Sequence, residues 1–181
     1  MSIFDVQTDF ELCDLVFSEL SGDRIDVDAC NELERVVRLV WDSSGLIGNG
    51  GFHRLFEGDY PGDPGFVYTA AAYKRIGAQH AYDAFQAAFR LFPGGILPSK
   101  SDERLRILES LPKESLEEIV GHYYDAEKET ESCLARFIRE HRSGYQHLLE
   151  LKRTEQRAAP TDGPVTALRK SRVTQGPSSV T

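Results

Sequence analysis

One stretch of the 181-residue chain combines side chains that could move protons, namely Glu118, His122, Tyr123 and Asp125. Glu118 and His122 are four residues apart, so on a helix they lie one turn apart and could form an ion pair. Histidine beside a carboxylate is a common general acid or base. The same spacing is also typical of an ordinary surface ion pair next to a core tyrosine, and we favour that interpretation.

The three cysteines offer a second possible chemistry. Cys13 lies on an apolar helix face with Phe10 and Leu20, which indicates a buried side chain and not a nucleophile with a paired base. Cys30 and Cys133 are far from it in sequence, and the three show no metal-ligand spacing. We expect reduced thiols in a cytoplasmic protein.

Other catalytic signatures are missing from the sequence. The glycines from Gly45 to Gly51 are not followed by Lys-Ser/Thr and do not follow a strand, so they do not form a phosphate loop. The chain contains no His-Glu-x-x-His, Glu-x-x-His or Cys-x-x-Cys motif. We therefore predict no catalytic residue, no metal ion and no cofactor.

The sequence predicts that helices position all of these side chains. The hydrophobic periodicity predicts an all-α, compact, single-domain bundle of about seven helices, without repeats. Thr8 and Glu11 have the spacing of a capping box, so the first helix should run from Thr8 to Leu20. Asp28 is the expected cap of a second helix, which Ser43-Ser44-Gly45 should end.

The glycine-rich stretch that follows predicts a junction between helices. Asn49 should cap a short helix that ends near Glu57, with Gly50 and Gly51 in its first turn. Each glycine inside a helix lowers the stability of the helix by about 1 kcal/mol relative to alanine, so the presence of two requires an explanation. The favoured reason is close approach of another helix, such as the alanine-rich segment, with Phe52 as an apolar anchor. The alternative is an anion site at the helix N-terminus, beside His53 and Arg54.

The second half predicts further helices and a tail. Residues 59–65 should form a loop, residues 66–76 and 79–92 two alanine-rich helices, and Ser101 a helix cap. From Lys113 a helical period persists for about seven turns. We assign residues 1–151 to the helical domain and residues 152–181 to a basic tail, which is disordered because its composition offers little apolar surface to bury.

The formal net charge of −8 is distributed unevenly. Residues 152–181 carry six basic and two acidic side chains, a net of +4, which leaves −12 for residues 1–151. Two runs concentrate the acids: residues 1–35 hold ten acids against two arginines, and residues 109–131 hold eight against two lysines. A body of this charge repels nucleic acid and membrane surfaces and attracts basic partners, although a merely solvated surface has the same composition.

A known family shares part of this pattern. At Asn49-Gly50-Gly51-Phe52, followed by Phe56, and again around Ile76-Gly77-Ala78, the chain resembles the bacterial DNA-mimic family built on an all-helical domain. The resemblance is clearest over residues 33–92 and extends over residues 10–145. The chain departs from the family pattern at Arg54, where a glutamine is usual, and at Leu55 and Gly58. The signature mixes glycines with apolar side chains, which indicates that it specifies the fold and not a catalytic site. Its residues are Asn49, Gly50, Gly51, Phe52, Phe56, Ile76, Gly77 and Ala78.

The resemblance implies a dimeric, non-enzymatic helical protein whose acidic surface occupies the DNA-binding face of a regulator of transcription. The protein would then bind a basic DNA-binding protein and would not itself bind nucleic acid or membranes. The partner-binding candidates are the acids of the two runs: Asp14, Glu19, Asp23, Asp26, Asp28, Glu32, Glu34, Glu117, Glu118, Glu127 and Glu131.

Two other functions stay open. One is a protein-binding module unrelated to DNA, such as an immunity-type protein that neutralises a basic toxin. The other is an enzyme that uses the His122 region or the Asn49 junction.

Overall fold

The computed structural model describes residues 3–21, 27–60 and 62–158, and all regular structure in this part of the chain is helical. Two 3-10 turns, Ile3–Asp5 and Pro93–Gly95, accompany the α-helices. The α-helices are α1 (Asp9–Leu20), α2 (Glu32–Glu57), α3 (Val67–Ile76), α4 (Gln79–Arg90), α5 (Ser101–Glu109), α6 (Lys113–Asp125), α7 (Glu127–Glu140) and α8 (Arg142–Ala158). The predicted all-α fold is confirmed, with eight α-helices in the described residues where about seven were expected.

The boundary predicted at residue 151 falls inside a helix, because α8 continues to Ala158. The disorder predicted for residues 152–181 is therefore wrong for residues 152–158, which continue the helix, and residues 159–181 lie outside the described part of the chain. Within that part, no helix combines the length and the apolar character that crossing a bilayer requires.

The core is built around α2, which packs against α1, α3, α5, α6, α7 and α8. Its second half provides Phe52 and Phe56, and both side chains are fully buried. The ring of Phe52 meets Phe85 and Tyr123 edge-on, with centroids 5.1 and 5.8 Å away, and Phe56 meets Phe92 in the same way at 5.6 Å. Edge-to-face pairs add about 0.5–1.5 kcal/mol beyond their buried area. The predicted role of Phe52 and Phe56 as core anchors is confirmed.

The start of α1 is as predicted. The Thr8 hydroxyl accepts from the Glu11 backbone N–H at 3.1 Å, and the Thr8 N–H donates to Glu11 Oε2 at 3.3 Å. The helix ends at Leu20, where the chain becomes extended at Ser21.

The start of α2 differs from the prediction. Asn31, not Asp28, is the N-cap residue, and its side-chain oxygen accepts from the Glu34 N–H at 3.0 Å. Asp28 lies in a turn before the helix.

The predicted stop at Ser43-Ser44-Gly45 is wrong, because the helix continues through all three residues. Both serine hydroxyls make tertiary hydrogen bonds instead of breaking the helix. Each is 2.9 Å from the Tyr73 hydroxyl, and Ser44 also accepts from the Tyr123 hydroxyl at 3.0 Å. The serines therefore tie α2 to α3 and α6.

The glycine pair makes a kink in α2. Gly50 and Gly51 both leave helical dihedral angles, and Gly51 has a φ of +67°. The prediction that Asn49 caps a new helix is wrong, since its side chain donates back to the Gly45 carbonyl at 2.8 Å. The predicted close approach is confirmed, but the neighbouring helix is α6 and not the alanine-rich segment: a Cβ on Gly51 would lie 2.8 Å from Val120 Cγ2.

Helices α3 and α4 agree with the prediction to within two residues. Gly77, with a φ of +80°, ends α3 in the left-handed region that glycine favours. Its neighbours Ile76 and Ala78 are buried. This second part of the signature is thus a tight turn between packed helices.

The long helix predicted from Lys113 is three helices. The backbone leaves the α region at Ala126 (φ −98°, ψ 1°) and at His141 (φ −106°, ψ 23°). Apolar positions repeat across both breaks, so the periodicity of the sequence does not reveal them.

The predicted cap at Ser101 is also wrong. Lys100 precedes the first residue of α5, and no side chain caps the helix. Asp102 and Glu103 lie in the first turn, where their negative charges favour the positive end of the helix dipole.

Candidate partner-binding groove

Acids from both charged runs meet in one groove, although they are more than 100 positions apart in the sequence. The groove lies between α1, α2 and α7 and has a volume of about 470 Å³. We call it the acidic groove. Its lining includes Phe10 and Asp14 from α1, Trp41, Gly45, Gly48 and Asn49 from α2, and Glu127 and Glu131 from α7.

The carboxylates of the acidic groove are largely uncompensated. Asp14 and Glu127 are exposed and form no ion pair within the described part of the chain. Burial raises the pKa of Glu131, and the negative charges of Asp9 and Glu127 raise it further. Lys128 offsets this only partly. A groove of this charge favours a cation.

An aromatic pair forms another wall of the acidic groove. Phe10 is 55% exposed and packs on Trp41 with ring centroids 5.4 Å apart. Aromatic faces beside carboxylates suit the guanidinium of arginine or the ammonium of lysine, because the ring attracts the cation and the carboxylate accepts its hydrogen bonds.

Glycines keep the α2 wall of the acidic groove low. Gly45 and Gly48 are helical, and a Cβ built on either would meet no atom within 4 Å. Glycine in a helix costs about 1 kcal/mol against alanine. Packing inside the described chain does not require either glycine, and both positions leave this side of the groove without a side chain.

The remaining candidates of the N-terminal run are placed elsewhere. Glu19 pairs with Arg153 at 3.1 Å, and Glu32 pairs with Arg75. Glu34 is only 6% exposed. It lies 3.2 Å from both Arg38 and Lys152, so its charge is neutralised inside the protein and it is not a surface acid. Asp28 is exposed, and Asp23 and Asp26 lie outside the described residues.

Glu117 and Glu118 of α6 are exposed but do not line the acidic groove. Glu117 lines a separate groove beside Gly50 and Gly51.

The acid–base candidates do not assemble. Tyr123 is 1% exposed, and its hydroxyl lies 2.9 Å from that of Tyr73 in the core, where burial raises its pKa. His122 and Asp125 line a surface groove on another side. In the described part of the chain no ion pair joins Glu118 to His122.

The three cysteines do not form a reactive group in the described part of the chain. All three are free and buried. Burial raises the pKa of Cys13 to about 12, with a smaller effect from Glu131, so the thiolate that a nucleophile needs is not formed at neutral pH. Among the described residues, no group of histidine, cysteine and acidic side chains could hold a metal ion.

The anion site considered at the Asn49 junction is not supported. The kink lies inside α2, and the two basic side chains beside it are both engaged by Glu57, with His53 at 3.1 Å and Arg54 at 2.7 Å.

Sequence reasoning missed Arg104. This side chain is fully buried, and its guanidinium donates to the carbonyls of Phe56, Gly58 and Pro98 at 3.0, 2.6 and 2.8 Å. It holds the end of α2 and two loops against α5. The helical spacing does carry a signal, because Ile107 and Leu108 follow Arg104 at i+3 and i+4 and place it on the apolar face, whereas Arg106 lies on the polar face.

Fold and groove together define an all-helical protein with an acidic surface groove and without a catalytic arrangement in the described residues. The chain belongs to the DMP19-like protein family, whose model matches residues 28–141, more than half of the sequence. This is a DNA-mimic family and not a known enzyme family, so the resemblance found in the sequence is confirmed at that level. No curated protein and no solved structure matches the chain. The matched range includes Glu127 and Glu131 and leaves Asp14 outside.

Proposed function

We propose that this protein is a non-enzymatic DNA mimic that binds a basic DNA-binding protein, such as a regulator of transcription, through the acidic groove. The observation that carries the proposal is the meeting of Asp14, Glu127 and Glu131 in one groove where the described residues provide too few cations to neutralise them. Family membership supports it independently.

The arrangement of the helices helps the mimicry. B-DNA carries one negative charge per roughly 1.7 Å of axis, whereas a helix with one acid per turn carries one per roughly 5.4 Å. A single helix is therefore too sparse. Packing α1 against α7 places two acidic faces side by side and raises the density of charge.

The chemistry of the groove also indicates what it binds. Carboxylates beside Phe10 and Trp41 fit an arginine or lysine of the kind that contacts phosphates in a DNA complex. A charge of this sign repels nucleic acid, so the partner is a protein.

The remaining expectations belong to the same proposal. We propose a cytoplasmic bacterial protein, because its described cysteines are free thiols. We propose a homodimer, since two copies present two acidic grooves, and sedimentation equilibrium should then give about twice 20.3 kDa. The Asn49–Phe52 segment acts in this proposal as a fold signature, because its glycines make the kink and Phe52 fills the core.

The first experiment is capture of partners from nuclease-treated lysate of the source cell, at low and then moderate salt. A DNA-binding protein should be retained at low salt, released at higher salt and displaced by duplex DNA. Charge reversal of Asp14 and Glu127 to lysine should abolish capture. Glu150→Lys is the matched control, because Glu150 is an exposed acid on α8 outside the groove.

A captured protein without affinity for DNA would instead favour the immunity-type module. If the double charge reversal leaves capture unchanged, the partner does not bind at the acidic groove.

A further inference from the structure

A second groove lies on the other side of the α2 kink, between α2, α5 and α6. It has a volume of about 640 Å³. We call it the apolar groove, because most of its lining is hydrophobic. Its apolar lining residues are Leu108, Leu111, Pro112, Leu116 and Val120.

The floor of the apolar groove contains a glycine that internal packing does not explain. Gly121 lies in the middle of α6, and a Cβ built there would meet no atom within 4 Å. It contrasts with Gly51 in the same groove, where Val120 leaves no room for a Cβ. Although glycine weakens a helix, internal packing does not require it at Gly121, and the position leaves room for a side chain that enters from outside.

The rim of the apolar groove is acidic. Glu109 and Glu117 are exposed and form no ion pair in the described part of the chain. The only basic group in the lining is His53, which is paired with Glu57 at 3.1 Å. An apolar side chain with lysine or arginine near it matches both the floor and the rim.

The two grooves adjoin. Asn49 lines the acidic groove and the next residue, Gly50, lines the apolar groove. Tyr124, on the apolar side, donates its hydroxyl to the Ile47 carbonyl at 3.0 Å and so bridges the kink. The acidic groove and the apolar groove are therefore neighbours across the kink.

We propose that the apolar groove receives an apolar side chain of the same partner, carried on a segment whose lysines or arginines reach Glu109, Glu117 and the acidic groove. The inference rests on the proposed function and deepens it. Recognition then has a part that DNA does not share, because the phosphate backbone of DNA offers no apolar groove to receive such a side chain. This part selects among basic proteins and persists at high salt.

Two synthetic helix-forming peptides of equal length and charge test the inference. Both carry the same lysines and arginines, and one has leucine where the other has alanine at two positions four residues apart. Their affinities for the full chain are measured by fluorescence anisotropy at low and moderate salt. The leucine peptide should bind about tenfold more tightly and keep part of its affinity at moderate salt.

A variant that fills the apolar groove tests whether the difference in affinity between the two peptides arises there. Gly121→Met places a side chain in open space, so the protein should fold, and thermal unfolding checks this. It should reduce the affinity of the leucine peptide to that of the alanine peptide. Ser143→Met, on an exposed position of α8, is the control and should change neither affinity.

The outcomes separate this inference from the proposed function. Equal affinities of the two peptides, or a leucine advantage that Gly121→Met leaves intact, overturn the apolar groove, while loss of both affinities in Glu127→Lys still supports the acidic groove. If Gly121→Met instead changes the sedimentation coefficient of the protein without affecting peptide binding, the groove is an interface between copies and the inference is wrong. If neither peptide binds at low salt, the result counts against both proposals.

Discussion

At the scale of single residues, the glycines divide into two kinds. Gly51 has a positive φ and no room for a side chain, so the fold itself requires glycine at this position. Gly45, Gly48 and Gly121 are helical and face open space, so packing within the fold does not explain why these positions are glycine. Sequence alone shows the cost of a helical glycine but not which of these two cases applies.

Alanine substitutions should separate the two kinds. Gly51→Ala should lower the free energy of unfolding by about 2 kcal/mol, because it combines a left-handed backbone with a Cβ only 2.8 Å from Val120. Gly48→Ala, the matched control, should raise it by about 0.5–1 kcal/mol. Urea unfolding measures both. Equal effects of the two substitutions would contradict the kink geometry.

Asp42 should make stability depend on pH. Burial raises its pKa from 3.8 to about 6, with Arg38 opposing the shift, and its Oδ2 has no hydrogen-bond partner in the described part of the chain. Between these two pH values the folded protein holds a proton that the unfolded chain has lost. The contribution of Asp42 to stability is therefore full below about pH 3.8 and is lost as pH rises to about 6.

The test compares the unfolding free energies of the wild type and Asp42→Asn from pH 4 to pH 7. The variant should gain about 1–2 kcal/mol relative to the wild type over this range, because it has no carboxylate to ionise. Parallel curves for the two proteins would show that Asp42 is not desolvated.

At the scale of elements, Arg104 decides how α2, α5 and the intervening loops fit together. Its donors reach the carbonyl of Phe56 near the end of α2 and the carbonyl of Pro64 in the loop before α3, and its guanidinium also lies 3.5 Å from Asp59. A buried charge of this kind is tolerated because the hydrogen bonds are many and charge-assisted.

Arg104→Lys should therefore destabilise the protein by about 3 kcal/mol, because an ammonium group cannot reach all of these carbonyls. Arg106→Lys on the same helix is the control. Arg106 is exposed and pairs with Asp102 at 3.2 Å, so its replacement should change stability by less than about 0.5 kcal/mol. Thermal unfolding compares the two variants, and similar melting temperatures would rule out the proposed role of Arg104.

Local patterns predicted the elements far better than their junctions. The capping box at Thr8 and the αL glycine at Gly77 are local chemistry, and both elements begin or end where the sequence indicates. Ser43 and Ser44 look like helix breakers in sequence, but their hydroxyls bond Tyr73, which is about 30 positions away. The break at Ala126 was invisible because the apolar period continues through it.

At the scale of the whole molecule, charge is distributed in three dimensions in a way that composition cannot show. The acidic runs were visible in the sequence, but their side chains differ in burial and in ion pairing. Glu34 is buried and paired, Glu19 is neutralised by Arg153, and Asp14 meets Glu127 across the groove. Which acids share a face depends on the packing of α1 on α7, and no local pattern carries that information.

The most direct test of the account is competition between this protein and duplex DNA for the purified, captured partner. The protein should displace DNA competitively, and Glu150→Lys should do so equally well. The Asp14→Lys, Glu127→Lys double variant should lose at least about tenfold in affinity, because it replaces attraction by repulsion in the acidic groove. A complex that contains partner, DNA and this protein together, or a double variant that competes as well as the wild type, would contradict DNA mimicry through this groove.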